Sequence, residues 1–455
     1  MARFLFATVP AVGHTQPALP IARALIERGH TVRWYAGAAF GEKIAAVGAS
    51  FHPITDPAFD YSLGGGLDGH YPQRRELSGL KKLQFDMVHG FSKPVPNQVR
   101  DLQALLREEP ADAMIADTGF IGGVLLQELG GPPLAGFGVS IVPFTNEHLA
   151  PLGLGLAPAN GPLGRLRNRA LAVSIRRMLL RPVTAELNQT RRMLGLPTSS
   201  AAIFDYPLAS QLYLQFSARS FEYDVPGVPS QVAFVGPPRQ LVDPGWRPPS
   251  WWPELAGRRV VLVNQGTVAT DADQLIRPAL AGLAGEDVLV VAVTGGADPA
   301  GLAPLPANAR VERHIPFDRL LPHVDVFVTN GGYGGVQLAL AHGVPIVGAG
   351  RTEDKIEVNA RVAASGVGVN LRTQTPEPDQ IGTAVRTVLA DARYAATARR
   401  MQDEIAKAGR ETRAAELLEQ LAAGSKPDQR QPGTRAVQAG ARGDGGLRHQ
   451  AGVAS

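Results

Sequence analysis

The chain of 455 residues contains no cysteine. That absence excludes a disulfide framework, thiolate nucleophiles, cysteine–zinc sites and iron–sulfur clusters. It fits a reducing compartment, and the expected location is the cytoplasm. Lysine is scarce, with seven among 45 basic residues; together with abundant alanine and glycine this points to a GC-rich bacterial source. No apolar run approaches the ~20 residues that a membrane-spanning helix needs. The opening run 4–9 is short, is preceded only by Arg3 and leads into Pro10 and Gly13, so it reads as a buried strand rather than a signal peptide.

Hydrophobic residues make up 44% and charged residues 19%, a balance that excludes wholesale disorder. The net charge of +4 is mostly local: the stretch from Gly424 onward carries +3 and residues 1–423 carry +1. The body therefore has no nucleic-acid footprint. The length implies two or three domains. Glycine (51) and proline (37) are plentiful, as tight strand–helix connections require.

Short β-rich runs (4–9, 31–35, 51–53, 113–116, 134–137) alternate with helical stretches (16–28, 42–47, 73–108, 119–129). This alternation predicts a parallel sheet with crossover helices. Residues 142–200 break the rhythm and read as a mostly helical insertion. Proline and glycine crowd 226–258, the candidate interdomain linker. The alternation restarts with runs at 260–263, 288–293, 309–312, 324–328 and 344–347. A helical block extends to 423, and 424–455 reads as a disordered tail. The fold expected is α/β: two Rossmann-like, doubly wound parallel-sheet domains facing a cleft.

The first strand leads to Gly13 and His14, at the strand end where open sheets bind ligands. Asp117 ends another strand of the same sheet and can hold the imidazole in one tautomer; taken alone it is equally a helix cap. In the second unit, Asn330, Gly331, Gly332, Tyr333, Gly334 and Gly335 follow a strand and open a helix. A mere turn does not need four glycines in five positions, whereas backbone approach to a diphosphate does. Gly266-Thr267 forms a smaller turn of the same kind. Asp354, beside Lys355, is placed either to accept from sugar hydroxyls or to begin a helix. Asp271 and Asp273 spell the D-x-D of metal-binding transferases but sit at a helix start, where capping is favoured. The arginines 165, 167, 169, 176, 177, 181, 191 and 192 read as a solvated basic face or as a surface for anionic lipid, a peripheral membrane contact.

Gly13-His14, Asp117, His314-Ile315-Pro316, 330–337 and Asp354, in this order and spacing, resemble the GT-B glycosyltransferases of the UDP-glycosyltransferase and bacterial macrolide-glycosyltransferase type, over residues 1–423. The resemblance implies an acceptor-binding domain (1–225), the linker (226–258), a donor-binding domain (259–400) and a helix crossing back to the first domain (401–423). It makes His14 the catalytic base and Asp117 its partner. Donor binding would fall to Gly13, Thr267, His314, Ile315, Asn330, Gly331, Gly332, Gly334, Gly335, Asp354 and Lys355. Three positions depart from the family pattern: Asn330 stands for a His, Leu338 for a Glu, and Lys355 for a Gln. The activity implied is a metal-independent, inverting hexosyltransferase that needs no cofactor. Its donor would be a UDP- or dTDP-sugar and its acceptor a hydroxyl on a hydrophobic natural product or lipid. A nucleotide-sugar epimerase and a non-catalytic nucleotide-sugar binding protein are the alternatives. The acceptor pocket is expected from segments 60–100 and 142–200, with Phe120, Phe137, Phe144 and Phe221 as candidate lining, although an ordinary core role is favoured for each.

Overall fold

A computed structural model describes residues 1–64, 66–266, 271–425 and 427. The expected tail therefore lies outside the described residues, apart from positions 424, 425 and 427. Seven strands form the first sheet: β1 (Arg3–Ala7), β2 (Thr31–Ala36), β3 (Ser50–Pro53), β4 (Ala113–Asp117), β5 (Leu134–Gly138), β6 (Leu212–Gln215) and β7 (Val232–Phe234). Six form the second: β8 (Val260–Asn264), β9 (Leu289–Val293), β10 (Ala309–Glu312), β11 (Val326–Thr329), β12 (Ile346–Gly348) and β13 (Gly368–Asn370). Their spatial orders are β3-β2-β1-β4-β5-β6-β7 and β10-β9-β8-β11-β12-β13. Every pairing is parallel. Central strands such as Val-Val-Leu-Val in β8 and Leu-Val-Val-Ala-Val in β9 are buried on both faces, which is why they read as continuous apolar runs. The expected fold class is observed.

Several segments differ from the sequence reading. The segment 226–258 is not all linker, because β7 lies within it and pairs with β6 as the sheet's edge. The stretch 73–108 is not one helix. It divides into Gly79–Asp86, a wider π turn Met87–Ser92, and Val95–Glu108. Pro94 disfavours helix at Lys93 and withholds an amide from the ladder. The opening helix 16–28 is a turn at Val12–Thr15, a 3-10 turn Gln16–Ala18, and then Leu19–Glu27. In the insertion, the helices Pro162–Met178 and Arg181–Met193 are preceded by irregular chain.

The block 401–423 also divides. Gly409, with φ 87°, separates the helices Ala392–Ala408 and Arg410–Ala422. The first buries Met401 and Ile405 in the core of the second lobe. The second buries Ala414, Leu418 and Leu421 against Phe4, Leu25 and Trp34 of the first lobe. The chain thus crosses back at a residue whose left-handed backbone favours glycine.

In each sheet the strand order reverses beside its first strand, between β1 and β4 and between β8 and β11. Crossovers leave in opposite directions there and open a crevice at the carboxyl ends, where open α/β sheets bind ligands.

Candidate active site

Both members of the first expected pair lie at the β1/β4 reversal. His14 sits in the turn after β1, and Asp117 is the last residue of β4. His14 Nδ1 lies 2.6 Å from Asp117 Oδ1. The carboxylate is itself held by two amides: Val9 N–H donates to Oδ2 at 2.7 Å and Gly119 N–H to Oδ1 at 2.6 Å. Its side chain is fully buried, whereas that of His14 is 20% exposed. A fixed acceptor on Nδ1 selects the tautomer with its proton there, leaving Nε2 as the basic nitrogen. Phe91, from the π turn, packs beside the imidazole at 6.5 Å between ring centres. At Gly13 a Cβ would meet nothing within 4 Å.

The glycine-rich segment lies at the β8/β11 reversal. Asn330 Nδ2 donates to Gln265 O, beside Gly266, and Asn330 Oδ1 accepts from Gly332 N–H at 3.1 Å. Gly332 is the N-cap of the helix Tyr333–Ala341 and carries no capping side chain. The first amides of that helix have no partner within it and point outward. Gly331 has φ 88°, and a Cβ there would come within 2.4 Å of Asn359 Oδ1. Asn359 is fully buried and donates to Asn330 O at 3.3 Å and Gly350 O at 3.1 Å, clamping the loop after β11 to the loop after β12. At Gly334, by contrast, a Cβ would meet open space. Thr267 lies outside the described residues.

His314 is exposed after β10, its ring 4.0 Å from where a Cβ on Gly296 would stand. The Ile315 side chain is 6% exposed and belongs to the core. Lys355 is buried, with its ammonium against Glu353 and 3.4 Å from Thr352 Oγ1. Asp354 precedes the helix Lys355–Ala364 without capping it. Burial pushes its carboxyl above the usual range, countered in part by Ser140 and Lys355.

The two crevices face each other, as four contacts establish. Ser140, just beyond β5, donates to Asp354 Oδ2 at 2.5 Å. Gln215, ending β6, donates to the Tyr333 hydroxyl and, at 2.8 Å, to Ser140 O. Arg361 Nε donates to Glu222 Oε2 at 2.6 Å, with its guanidinium 4.4 Å from the Tyr223 ring centre. Glu357 Oε1 accepts from the amides of Gly153, Leu154 and Gly155 at 2.8–3.1 Å. The sequence reading named Asp354 and Tyr333 but not their partners, and it missed Ser140, Gln215, Glu222, Glu357 and Arg361. Ser140 and Asp354 are 214 positions apart, and no local pattern joins them.

Other expected features take structural positions. Asp271 accepts from Asp273 N–H at 3.1 Å, and Asp273 pairs with Arg277 at 2.8 Å, as capping requires. Phe137 and Phe221 are sealed in cores, so neither lines a pocket. Phe120 borders a narrow crevice with Pro10, Tyr61 and Gly90. Arg191 is withdrawn from the basic face into a two-pronged pair with Glu128 at 2.7 and 2.9 Å. A hollow of about 750 Å³ among Trp246, Arg247, Trp252, Arg319 and His323 lies away from both reversals. The buried polar groups converge instead at the two reversals, as at a ligand site.

Residues 278–421 match the family model of the erythromycin biosynthesis protein CIII-like C-terminal domain. The chain is 44% identical to 4'-demethylrebeccamycin synthase of Lentzea aerocolonigenes over 424 residues, 92% of this chain and 99% of that protein. It is 32% identical to UDP-glucosyltransferase B1 of Starmerella bombicola over 424 residues, 88% of this chain and 93% of the relative. Among solved structures, the calicheamicin glycosyltransferase CalG4 superposes with a TM-score of 0.71 at 25% identity, covering 93% of this chain and 98% of that one. Two facing parallel-sheet lobes of this topology are the GT-B architecture. The chain belongs to the GT-B glycosyltransferases of the UDP-glycosyltransferase and macrolide-glycosyltransferase type, and the enzyme is a hexosyltransferase.

Proposed function

We propose that the enzyme moves a hexose, with inversion and without a metal, from a UDP- or dTDP-sugar to a hydroxyl of a hydrophobic natural product or lipid. The observation that carries this reading is the His14–Asp117 pair, at 2.6 Å and at the strand-order reversal that faces the glycine loop. An alcohol does not ionise freely at neutral pH, so its attack needs a base within hydrogen-bond reach. Nε2 of His14 takes the hydroxyl proton as the new C–O bond forms on the face of the anomeric carbon opposite the diphosphate. The bond from that carbon to the diphosphate oxygen breaks with its electron pair leaving on the nucleotide. Asp117 stabilises the resulting imidazolium. The departing charge meets the amide-lined start of the helix Tyr333–Ala341, whose dipole favours an anion.

The open space over Gly13 and Gly334 supports this placement, since neither glycine is required by packing or by a positive φ. Asp354 accepts from donor-sugar hydroxyls, a role for which its present partner, the Ser140 hydroxyl, is a chemical stand-in. His314 covers the nucleobase and the Ile315 main chain contacts its edge. Asn330 shapes the loop that meets the phosphates, through Gln265 and Gly332, and Lys355 holds the Asp354 loop in shape. The names of the relatives, a rebeccamycin-type synthase and a UDP-glucosyltransferase, support a natural-product acceptor and a nucleotide-sugar donor.

His14→Ala should lower transfer ~10²–10⁴-fold, the usual share of a general base, while donor-dependent thermal stabilisation persists. Wild-type turnover in that variant would remove His14 from the mechanism. Transfer should be unchanged in a chelator, and an absolute need for Mg²⁺ or Mn²⁺ would return attention to Asp271 and Asp273. Proton NMR of the glycoside should show the anomeric configuration opposite to that of the donor.

A further inference from the structure

The helix Pro162–Met178 packs Ile175 on a core of the first lobe and carries a second apolar side that faces outward. Its inward side carries Asn168, which is 1% exposed and donates to Glu147 O at 3.1 Å. Its outward side carries Leu163 (82% exposed), Leu166 (62%), Ala170 and Val173 (49%). Positions 163, 166, 170 and 173 follow the 3-4-3 spacing that places residues on one helical stripe. Arg169 and Arg176 flank the stripe on one side, Arg167 lies on the other, and Arg177 continues its line. The helix contains no acidic residue. At its C-terminal end it meets the helix Gly79–Asp86 through Gln84 Nε2 and Leu179 O at 3.0 Å. That second helix exposes Leu80 (65%) and Leu83 (38%) beside Lys81.

We propose that this face of the acceptor lobe docks on an anionic lipid surface, with the leucines in the acyl boundary and the arginines among the headgroups. Exposed leucines in water carry a standing transfer cost of roughly 25 cal/mol per Å², so a contiguous stripe marks a binding face. The flanking charge chooses the partner. A second copy of the chain would set arginine against arginine along the seam. An anionic membrane satisfies the leucines and the cations together. Glu147 pairs with Arg165 and Arg169, whereas Arg176 and Arg177 have no ion-pair partner among the described residues. The proposal is independent of the transfer chemistry, because none of these residues belongs to the site at the two reversals.

The test is co-sedimentation of the full chain with vesicles of phosphatidylglycerol and, separately, of phosphatidylcholine. Binding should be strong to the first and weak to the second, and it should fall as ionic strength rises. Arg176→Gln/Arg177→Gln should weaken binding to the anionic vesicles about thirtyfold, roughly fivefold for each cation. Leu163→Ser/Leu166→Ser should abolish it. Both variants change only exposed side chains and should keep wild-type melting temperatures and wild-type transfer to a soluble acceptor. Four results would each overturn the proposal: no vesicle binding, equal binding to both lipids, binding that survives both variants, or a self-association without lipid that Leu163→Ser/Leu166→Ser abolishes. Loss of vesicle binding with transfer intact separates this inference from the catalytic reading.

Discussion

Two glycines three positions apart in the loop after β11 answer to different physics. Gly331 is fixed by the protein itself, since its φ is 88° and a Cβ would stand 2.4 Å from Asn359 Oδ1. Gly331→Ala should cost about 2 kcal/mol, from the left-handed backbone and the displaced amide, and lower the melting temperature. Gly334 is a helical residue with ordinary φ and open space around it. Alanine there should stabilise the free protein by about 0.5 kcal/mol through helix propensity, yet weaken donor binding if a diphosphate approaches that backbone. Thermal shift with and without donor reads both effects. A fall in stability for Gly334→Ala, or unchanged donor affinity, would contradict the assignment. The motif spelling in the sequence could not separate the two glycines, because the distinction depends on Asn359, 28 positions away.

At the scale of elements, the helix Lys355–Ala364 is the joint between the lobes. Arg361 is 3% exposed and lies between the carboxylates of Glu222 and Glu357, at 2.6 and 3.2 Å. Glu357 in turn gathers three amides of the loop at Gly153–Gly155. Removing one partner of a buried charge set leaves the others desolvated and unpaired, typically at about 3–5 kcal/mol. Arg361→Met should show that loss in urea unfolding, and Arg361→Met/Glu222→Gln should recover part of it by removing one orphaned carboxylate. Equal stability of the wild type and the single variant would mean that the network is solvated and slack. The strands and helices themselves were legible because apolar runs and period-3.6 stripes are local. So were His14, Asp117 and the glycine loop, since doubly wound topology delivers strand ends to one edge. What escaped were the short strands β6, β7 and β13, too brief to carry a pattern, and partners such as Ser140–Asp354 or Gln215–Tyr333. Each of those pairs is set by how one sheet faces the other, information that no single segment contains.

For the whole molecule, the decisive element is the last of the described helices, Arg410–Ala422, which belongs by sequence to the second lobe and by packing to the first. Its apolar side is buried in the first lobe, and at its rim Glu419 accepts from Arg28 Nη2 at 2.6 Å and lies 2.7 Å from His30 Nε2. Ala2 N–H donates to His30 Nδ1 at 3.0 Å, so Nε2 carries the proton and donates to the carboxylate. Arg28 foremost, with His30, lowers the Glu419 carboxyl from its ordinary 4.5 to about 2. A depressed carboxyl means that the unfolded state binds the proton more readily. The stabilisation is therefore fully present above about pH 4.5 and is lost as pH falls toward 2. Acid should loosen this helix within that window, and the two lobes then lose the strap that returns from one to the other. Hydrogen exchange of the amides at 410–422, followed from pH 6 to pH 2, should show protection falling over those pH units in the wild type. In Glu419→Gln the same amides should start less protected and lose less across the window, because the side chain no longer titrates. An identical acid profile in both proteins would show that apolar packing alone holds the strap, with the ion pair contributing nothing to how the lobes are joined.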